Sequence, residues 1–135
     1  MQNKKVAVVD GANVAHIEVT GKGDPKVTNL LAVRQVLTGK GYHPIIIVDA
    51  ALHHRIDDAE QLEALINKQQ VRQAPAGTDA DYFVIKIAEE ENAVIISNDQ
   101  YKDYQEQFPW VSERRIPLMI VHGNVELYEP AVEGT

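Results

Sequence analysis

Five aspartates carry the pattern in this chain that is best suited to chemistry. Asp10 closes the apolar run VAVVD, while Asp99 and Asp103, four residues apart, follow the apolar run AVIIS. Asp79 and Asp81 stand at the start of the helical stretch that precedes that second run. Carboxylates brought together repel at neutral pH unless cations neutralise them. A set of hard oxygen ligands without His or Cys selects Mg²⁺ or Mn²⁺. An ion so held activates water and stabilises charge on a phosphate, which suits phosphodiester hydrolysis. Asn13, three residues after Asp10, can orient the phosphate or a water.

Each acid also has a purely structural reading. Asp10 can cap the turn that follows its strand. Thr78-x-x-Asp81 is a capping-box pattern, and Asp79 is a favourable charge at a helix start. Asp99, beside Ser97 and Asn98, reads as another helix start, and Asp103 as a solvated charge. Asp49 also ends an apolar run, so the pattern is not confined to reactive positions. What favours chemistry is convergence: three separate helix or turn starts carry aspartate at one expected edge of a sheet.

The elements that must position these acids follow from periodicity. Lys5 to Asp10 reads as a buried strand, Gly11-Ala12-Asn13 as a turn, and Val14 to Lys26 as a short helical turn and loop. Thr28 is expected to cap a helix reaching about Lys40, with Leu30, Val33 and Leu37 at helical spacing. Pro44 to Asp49 is a second strand, and Asp57 or Asp58 opens a helix bearing Leu62, Leu65 and Ile66. Val71 to Ala74 reads as a short strand, Thr78 to Glu91 as a helix, and Ala93 to Ser97 as a strand. A short helix is expected from Asp99 to about Gln107, and Pro117 to Val121 is expected to be the last strand. Continuous apolar strands alternating with helices predict right-handed βαβ units: a three-layer α/β/α domain with a mainly parallel sheet. In such sheets ligands bind beyond the carboxyl ends of the strands, where strand order reverses. If the strands ending at Asp10 and before Asp99 are neighbours, their carboxylates meet there.

The 135 residues, 44% of them hydrophobic, suffice for one domain with a real core, expected over 1–130, with 131–135 a loose tail. The chain has no cysteine, which excludes disulfides and thiolate zinc sites and makes a reducing cytoplasm the natural setting. No apolar run is long enough to span a bilayer, and MQNKKVAVVD enters a strand pattern without reading as a signal peptide. The net charge of −7 counts against nucleic-acid binding, because phosphate contacts use Lys and Arg. Acids gathered in a metal site would have their local field reversed by the ion. A basic rim is still required, and Arg114, Arg115, Lys102, Arg55 and Arg72 are the candidates. His53-His54 reads as an exposed loop pair beside Arg55, His16 and His122 lack zinc-site spacing, and Trp110 reads as a packing residue.

With these residues in view, the chain resembles the NYN/PIN-like ribonuclease domain of the Zc3h12a-like (Regnase) family. VVDGANVA (8–15) is similar to the family's opening strand and Asp-Gly-x-Asn turn. LLAVRQVLTGKGYHPIIIVDA is similar to its helix, glycine break and second strand, and Trp110 through Ile120 follows its later run. The most specific segment is DYFVIKIAEEENAVIISNDQYKDY (81–104). The resemblance implies a PIN-like fold and a magnesium-dependent ribonuclease acting on single-stranded or loop RNA. It implies metal-site roles for Asp10, Asp81, Asp99 and Asp103, and a phosphate- or water-positioning role for Asn13. Two departures stand out. Ala80 separates Asp79 from Asp81 where the family pattern has adjacent acids, which leaves the role of Asp79 open. The Cys-His zinc finger of eukaryotic members is excluded by the absence of cysteine. The resemblance also admits a homodimer, which no residue of the sequence specifies.

Other phosphate chemistries fit less well. Haloacid-dehalogenase-type phosphatases need an aspartate two residues after the first, and position 12 is alanine. A receiver domain needs an acidic pair after the first strand, where only Asp10 stands. A dinucleotide-binding turn needs G-x-G-x-x-G, which GANVAH does not match. The alternative from another class is a non-catalytic RNA-binding or scaffolding domain retaining the fold. A binder gains nothing, however, from gathering mutually repelling carboxylates.

Overall fold

Short runs rich in valine and isoleucine, each too short to be an independent helix, become the strands of one sheet. The computed structural model describes residues 5–130, so the tail expected at 131–135 lies outside the described residues. Five parallel strands, β1 (Lys5–Asp10), β2 (Tyr42–Val48), β3 (Val71–Gln73), β4 (Val94–Ile96) and β5 (Arg115–Ile116), lie in the order β3-β2-β1-β4-β5. The chain builds outward from β1 on one side through β2 and β3, then returns to build on the other side through β4 and β5. Strand order therefore reverses between β1 and β4, which is where an open parallel sheet forms its binding crevice. Val9 is level with Ile96, so Asp10 and Ser97 leave the two strands side by side.

Alternation along β1 separates two cores. Ala7 and Val9 face a layer built by α1 (Gly11–Ala15), α2 (Val27–Gly39) and α3 (Ala59–Asn67), which buries Val14, Leu30, Val33, Leu37, Leu62 and Leu65. Val8 faces the opposite layer, where α4 (Ala80–Glu91) and α5 (Val111–Arg114) contribute Val84, Ile85, Ala88 and Val111, with Phe108 and Tyr101 from the segment between β4 and α5. Strands covered on both faces read as continuous apolar runs, which explains VAVV, IIIV and AVII. Pro44 lies within β2, but β3 joins β2 only from Ile46, so the missing amide falls where β2 still has a free edge.

The turn after Asp10 is tied down from both sides. Gly11 opens α1 against β2, and a Cβ there would lie 2.6 Å from the Ile47 carbonyl oxygen and 2.6 Å from Val48 Cγ1, so only glycine fits. At the other end of α1, the buried amide of Asn29 donates to the carbonyls of Val14, Ala15 and Glu18, at 3.1, 3.0 and 2.8 Å. These bonds tie the end of α1 and the chain just after it to α2.

Three expectations are corrected. The helix assigned to Thr28 as cap instead starts at Val27, with Lys26 in the cap position two residues earlier, and its first amide donates 2.9 Å to Asp57 Oδ1, an acceptor supplied by a residue thirty positions away. The helix expected after Asp99 is only a 3-10 turn, Lys102–Tyr104, because Tyr101 before it has φ 52° and breaks the helical path. The fifth strand of the sheet is Arg115–Ile116, not the PLMIV run. That run forms β6 (Leu118–Val121), which pairs antiparallel with β7 (Asn124–Leu127) in a separate hairpin. His122 and Gly123 take φ of 51° and 78°, as a two-residue hairpin turn demands. Glu18 anchors this turn by accepting from both amides, at 2.6 and 3.0 Å.

Candidate active site

Aspartates end up at the crevice because the sheet's strands stop there and each following segment needs a capping acceptor. Asp10 leaves β1 as N-cap of α1 and accepts 3.3 Å from the Asn13 amide through Oδ1. It is 7% exposed, the only buried acid among the described residues. Its other oxygen accepts from the Tyr101 hydroxyl at 2.6 Å and from the Ser97 hydroxyl at 3.3 Å. Burial raises the Asp10 pKa above the ordinary carboxylate value, and the Asp99 charge adds to the rise. The bonds from Tyr101, Asn13 and Ser97 work against it. Burial next to the Asp10 charge pushes the Tyr101 hydroxyl far above its usual pKa, so it stays a donor.

Ser97 couples this buried acid to the second one. Its hydroxyl oxygen accepts from the Asp99 amide at 3.0 Å, and Asp99 Oδ1 in turn accepts from the Tyr101 amide at 2.8 Å. The left-handed backbone at Tyr101 is thus what turns its ring back toward Asp10 while its amide holds Asp99. Asn98, between them, bonds the Leu118 amide and carbonyl at 2.8 and 2.9 Å, pinning the loop to β6. Asn13 Oδ1 accepts from the Asn98 amide at 2.9 Å, which joins the loops after β1 and β4 and leaves the Asn13 NH₂ group as the donor available to a ligand.

Asp81 comes from the opposite layer, in the first turn of α4. Carboxylate oxygens of Asp10, Asp81 and Asp99 all lie within 4.8 Å of one another. The Asp81 pKa is pushed up to about 6, first by partial burial and then by the charges of Asp10, Asp99, Asp79 and Asp49. Three carboxylate oxygens so close together, with no Lys or Arg among the described residues in ion-pair contact with them, are a donor set for a hard divalent cation. Bonds of about 2.1 Å put oxygens on one Mg²⁺ roughly 3–4 Å apart, so small rotations close the trio on an ion. The donors present fit Mg²⁺ or Mn²⁺ and do not fit a soft metal.

Residues 3–130 match the family model of the Zc3h12a-like ribonuclease NYN domain. The chain belongs to that family. Solved structures similar to this NYN domain include two of nuclear protein-only RNase P 2 from Arabidopsis thaliana. They superpose with TM-scores of 0.75 and 0.72 at 21% identity in each case, which establishes the shared fold. Each alignment covers 95% of this chain and 30% of the RNase P chain, so the NYN domain here spans less than a third of that protein's length. A search of curated proteins found no match.

The NYN domain brings together three of the five acids singled out in sequence. Asp79 stands beside the trio as N-cap of α4: it accepts from the Asp81 amide at 3.0 Å and also from the Tyr104 hydroxyl, whose pKa the bond pushes up to about 12. Asp103 lines the same cleft as Asp81, Asn98, Asp99, Tyr101 and Tyr104, but the 3-10 turn sets it outside the close group. Lys102 is exposed on the wall of that cleft. Arg55 is exposed at the end of the 3-10 turn Ala50–His54 that Asp49 caps. Arg114 lies half-buried over the Trp110 ring, 4.0 Å from its centroid, and donates to the Ala88 and Ala93 carbonyls at 3.5 and 3.4 Å. Arg115 donates 3.2 Å to the Ser97 carbonyl, fixing the end of β4. Arg72 lies away from the carboxylates, in a pocket by the first residues of β2. Ser97 and Tyr101 were not singled out from sequence. The signal for Tyr101 was its place two residues after Asp99, but its partner Asp10 is 91 residues away.

Proposed function

We propose that this NYN domain is a metal-dependent endoribonuclease. The observation that carries the reading is the approach of three carboxylates within 4.8 Å, one of them buried, at the reversal of strand order in a chain of a ribonuclease family. Asp10, Asp81 and Asp99 would hold Mg²⁺ or Mn²⁺. When bound, the ion supplies an activated water and neutralises charge on the scissile phosphate. Tyr101 and Ser97 fix the rotamer of Asp10 through its second oxygen. Asn13, with its oxygen engaged by Asn98, offers its NH₂ group to a phosphate oxygen. Asp103, on the cleft wall, and Asp79, beside Asp81, add negative field that favours the ion and can take water-mediated contacts to it. Lys102 and Arg55 are the exposed cations suited to flanking phosphates. Arg115, bonded to the Ser97 carbonyl, supports the loop that carries Asp99, whereas Arg114 is bonded to the Ala88 and Ala93 carbonyls toward the far end of α4 and before β4, away from the carboxylates. RNA with an open backbone, single-stranded or in loops, is the substrate this shallow cleft accommodates.

Among the described residues no helix is long and apolar enough to cross a membrane. A cytoplasmic setting agrees with the absence of cysteine. The alternative of a non-catalytic RNA-binding domain leaves the clustered charge without a purpose. The test is cleavage of a fluorescently labelled single-stranded RNA with Mg²⁺, Mn²⁺ or EDTA, by the wild type and Asp99→Asn. Cutting that requires the metal and is lost in the variant is expected. Folded protein that cuts nothing under any of these conditions would leave the non-catalytic binder as the better reading.

A further inference from the structure

A nuclease with a net charge of −7 and an acidic cleft must hold RNA by something besides phosphate contacts. Aromatic rings run away from the carboxylates along the α4 layer. Tyr104 lines the cleft with Asp81 and Asp99. Tyr82, the residue after Asp81, lies 6.1 Å from the Tyr104 ring and 6.0 Å from Phe108. Phe108 lies 6.2 Å from Trp110, and Arg114 lies over the Trp110 ring. Phe108 is buried and Trp110 is packed by Arg114, so these two rings are scaffold.

Tyr82 differs from both. It is 36% exposed, whereas the next residue, Phe83, and the adjacent Tyr104 ring are partly buried and pack against the second core. Its ring meets Tyr104 and Phe108 at 46° and 60°, so neither neighbour lies flat on it. The Tyr104 hydroxyl is bonded to the Asp79 carboxylate, which holds this second ring in place at the cleft wall. A partly open aromatic face that meets the cleft-lining Tyr104 ring suits a nucleic-acid base. Base–aromatic stacking is indifferent to net charge and requires an unpaired base.

We propose that Tyr82, steadied by Tyr104 and Phe108, is a stacking platform for an unpaired base of the RNA strand whose phosphate reaches Asp10, Asp81 and Asp99. The proposal rests on the nuclease reading of that cluster and names what selects single-stranded over paired substrate. It also answers the charge problem, since stacking holds RNA without requiring a basic face.

The test is fluorescence anisotropy of a short labelled oligouridine and of a fully paired RNA duplex, in EDTA, with wild type, Tyr82→Ala, Tyr82→Gln, Tyr82→Phe and Tyr82→Trp. The single strand should bind Tyr82→Ala and Tyr82→Gln about five- to a hundredfold more weakly than wild type, the range of one lost base stack. Tyr82→Phe and Tyr82→Trp should bind like wild type, because both keep an aromatic face. Any duplex binding should not change among the variants. In Mg²⁺ the alanine variant should show a raised KM with kcat nearly unchanged. Equal single-strand binding by wild type and the alanine and glutamine variants would overturn the platform, as would a wild type that does not bind oligouridine at all. Failure of the wild type to cleave would instead sink the nuclease reading, and the anisotropy measurements would still decide the platform.

Discussion

Replacing Asp81 by asparagine should make the metal-free protein more stable at neutral pH and leave it nearly unchanged in acid. Asp81 sits half-buried beside Asp10 and Asp99, and its pKa rises from 3.8 to about 6. The folded state therefore holds this proton more tightly than the unfolded chain does. Below pH 3.8 the carboxyl is protonated in both states and there is no penalty. Between pH 4 and 6 the unfolded chain ionises first, and folding loses stability steadily. Above pH 6 the loss is complete. For a fully buried group that shift would correspond to about 3 kcal/mol, and solvent screening at a half-exposed site reduces it to about 1–1.5 kcal/mol. Asparagine removes the penalty but also removes a favourable charge at the N-terminus of α4, worth about 0.3–0.5 kcal/mol. The net gain at pH 7.5 is about 1 kcal/mol, or about 3–5 °C in Tm for a domain of this size. Thermal unfolding by circular dichroism in EDTA, from pH 4 to 8, measures it. The wild-type Tm should fall relative to the variant between pH 4 and 6 and then run parallel. Added Mg²⁺ should stabilise the wild type and close the gap. Parallel curves over the whole range, or a variant less stable at pH 7.5, would refute the view that these carboxylates repel one another and await a cation.

Other consequences follow from single contacts. Gly11→Ala forces a methyl group within 2.6 Å of the Ile47 carbonyl oxygen and should cost about 2–3 kcal/mol in urea unfolding. Tyr101→Phe removes the 2.6 Å bond to a buried carboxylate and should destabilise the metal-free protein by about 1–2 kcal/mol at pH 7.5 while weakening cleavage. Asp57→Ala removes the remote acceptor at the start of α2 and should lower stability by about 1 kcal/mol with RNA cleavage unaltered per folded molecule. Arg114→Ala should lower Tm through the lost packing on Trp110, measured by calorimetry, more than it changes RNA affinity.

The layered fold and the meeting of Asp10 with Asp99 were legible because they rest on local signals. Each is a short apolar run ending in aspartate, and helix–strand alternation fixes which ends share an edge. The third acid, Asp81, was legible only as a position near that edge, since reaching the trio depends on how α4 packs across β1. Tyr101 and Ser97 escaped notice because their importance lies in bonds to Asp10, which is distant in sequence. Asp103 was placed by assuming a helix after Asp99, and one left-handed residue, Tyr101, removes that assumption. The hairpin was missed because PLMIV is apolar throughout, although only Leu118 and Ile120 are buried while Met119 and Val121 face outward. Its true signal was His122-Gly123 between two strand-like runs, a turn pair that Asn-Gly or Asp-Gly would have made plainer. Thr28 looked like a cap by type and place, but the acceptor at that helix start comes from Asp57, beyond the reach of a local reading.

The most direct test of the metal centre is anomalous diffraction from crystals of the wild type grown with Mn²⁺. A single strong anomalous peak bonded to carboxylate oxygens of Asp10, Asp81 and Asp99 is expected, and the same peak should vanish in Asp10→Asn crystals. A Mn²⁺ ion bound elsewhere, or no peak in a protein that nevertheless cleaves RNA, would contradict the assignment of these three aspartates as the catalytic metal site.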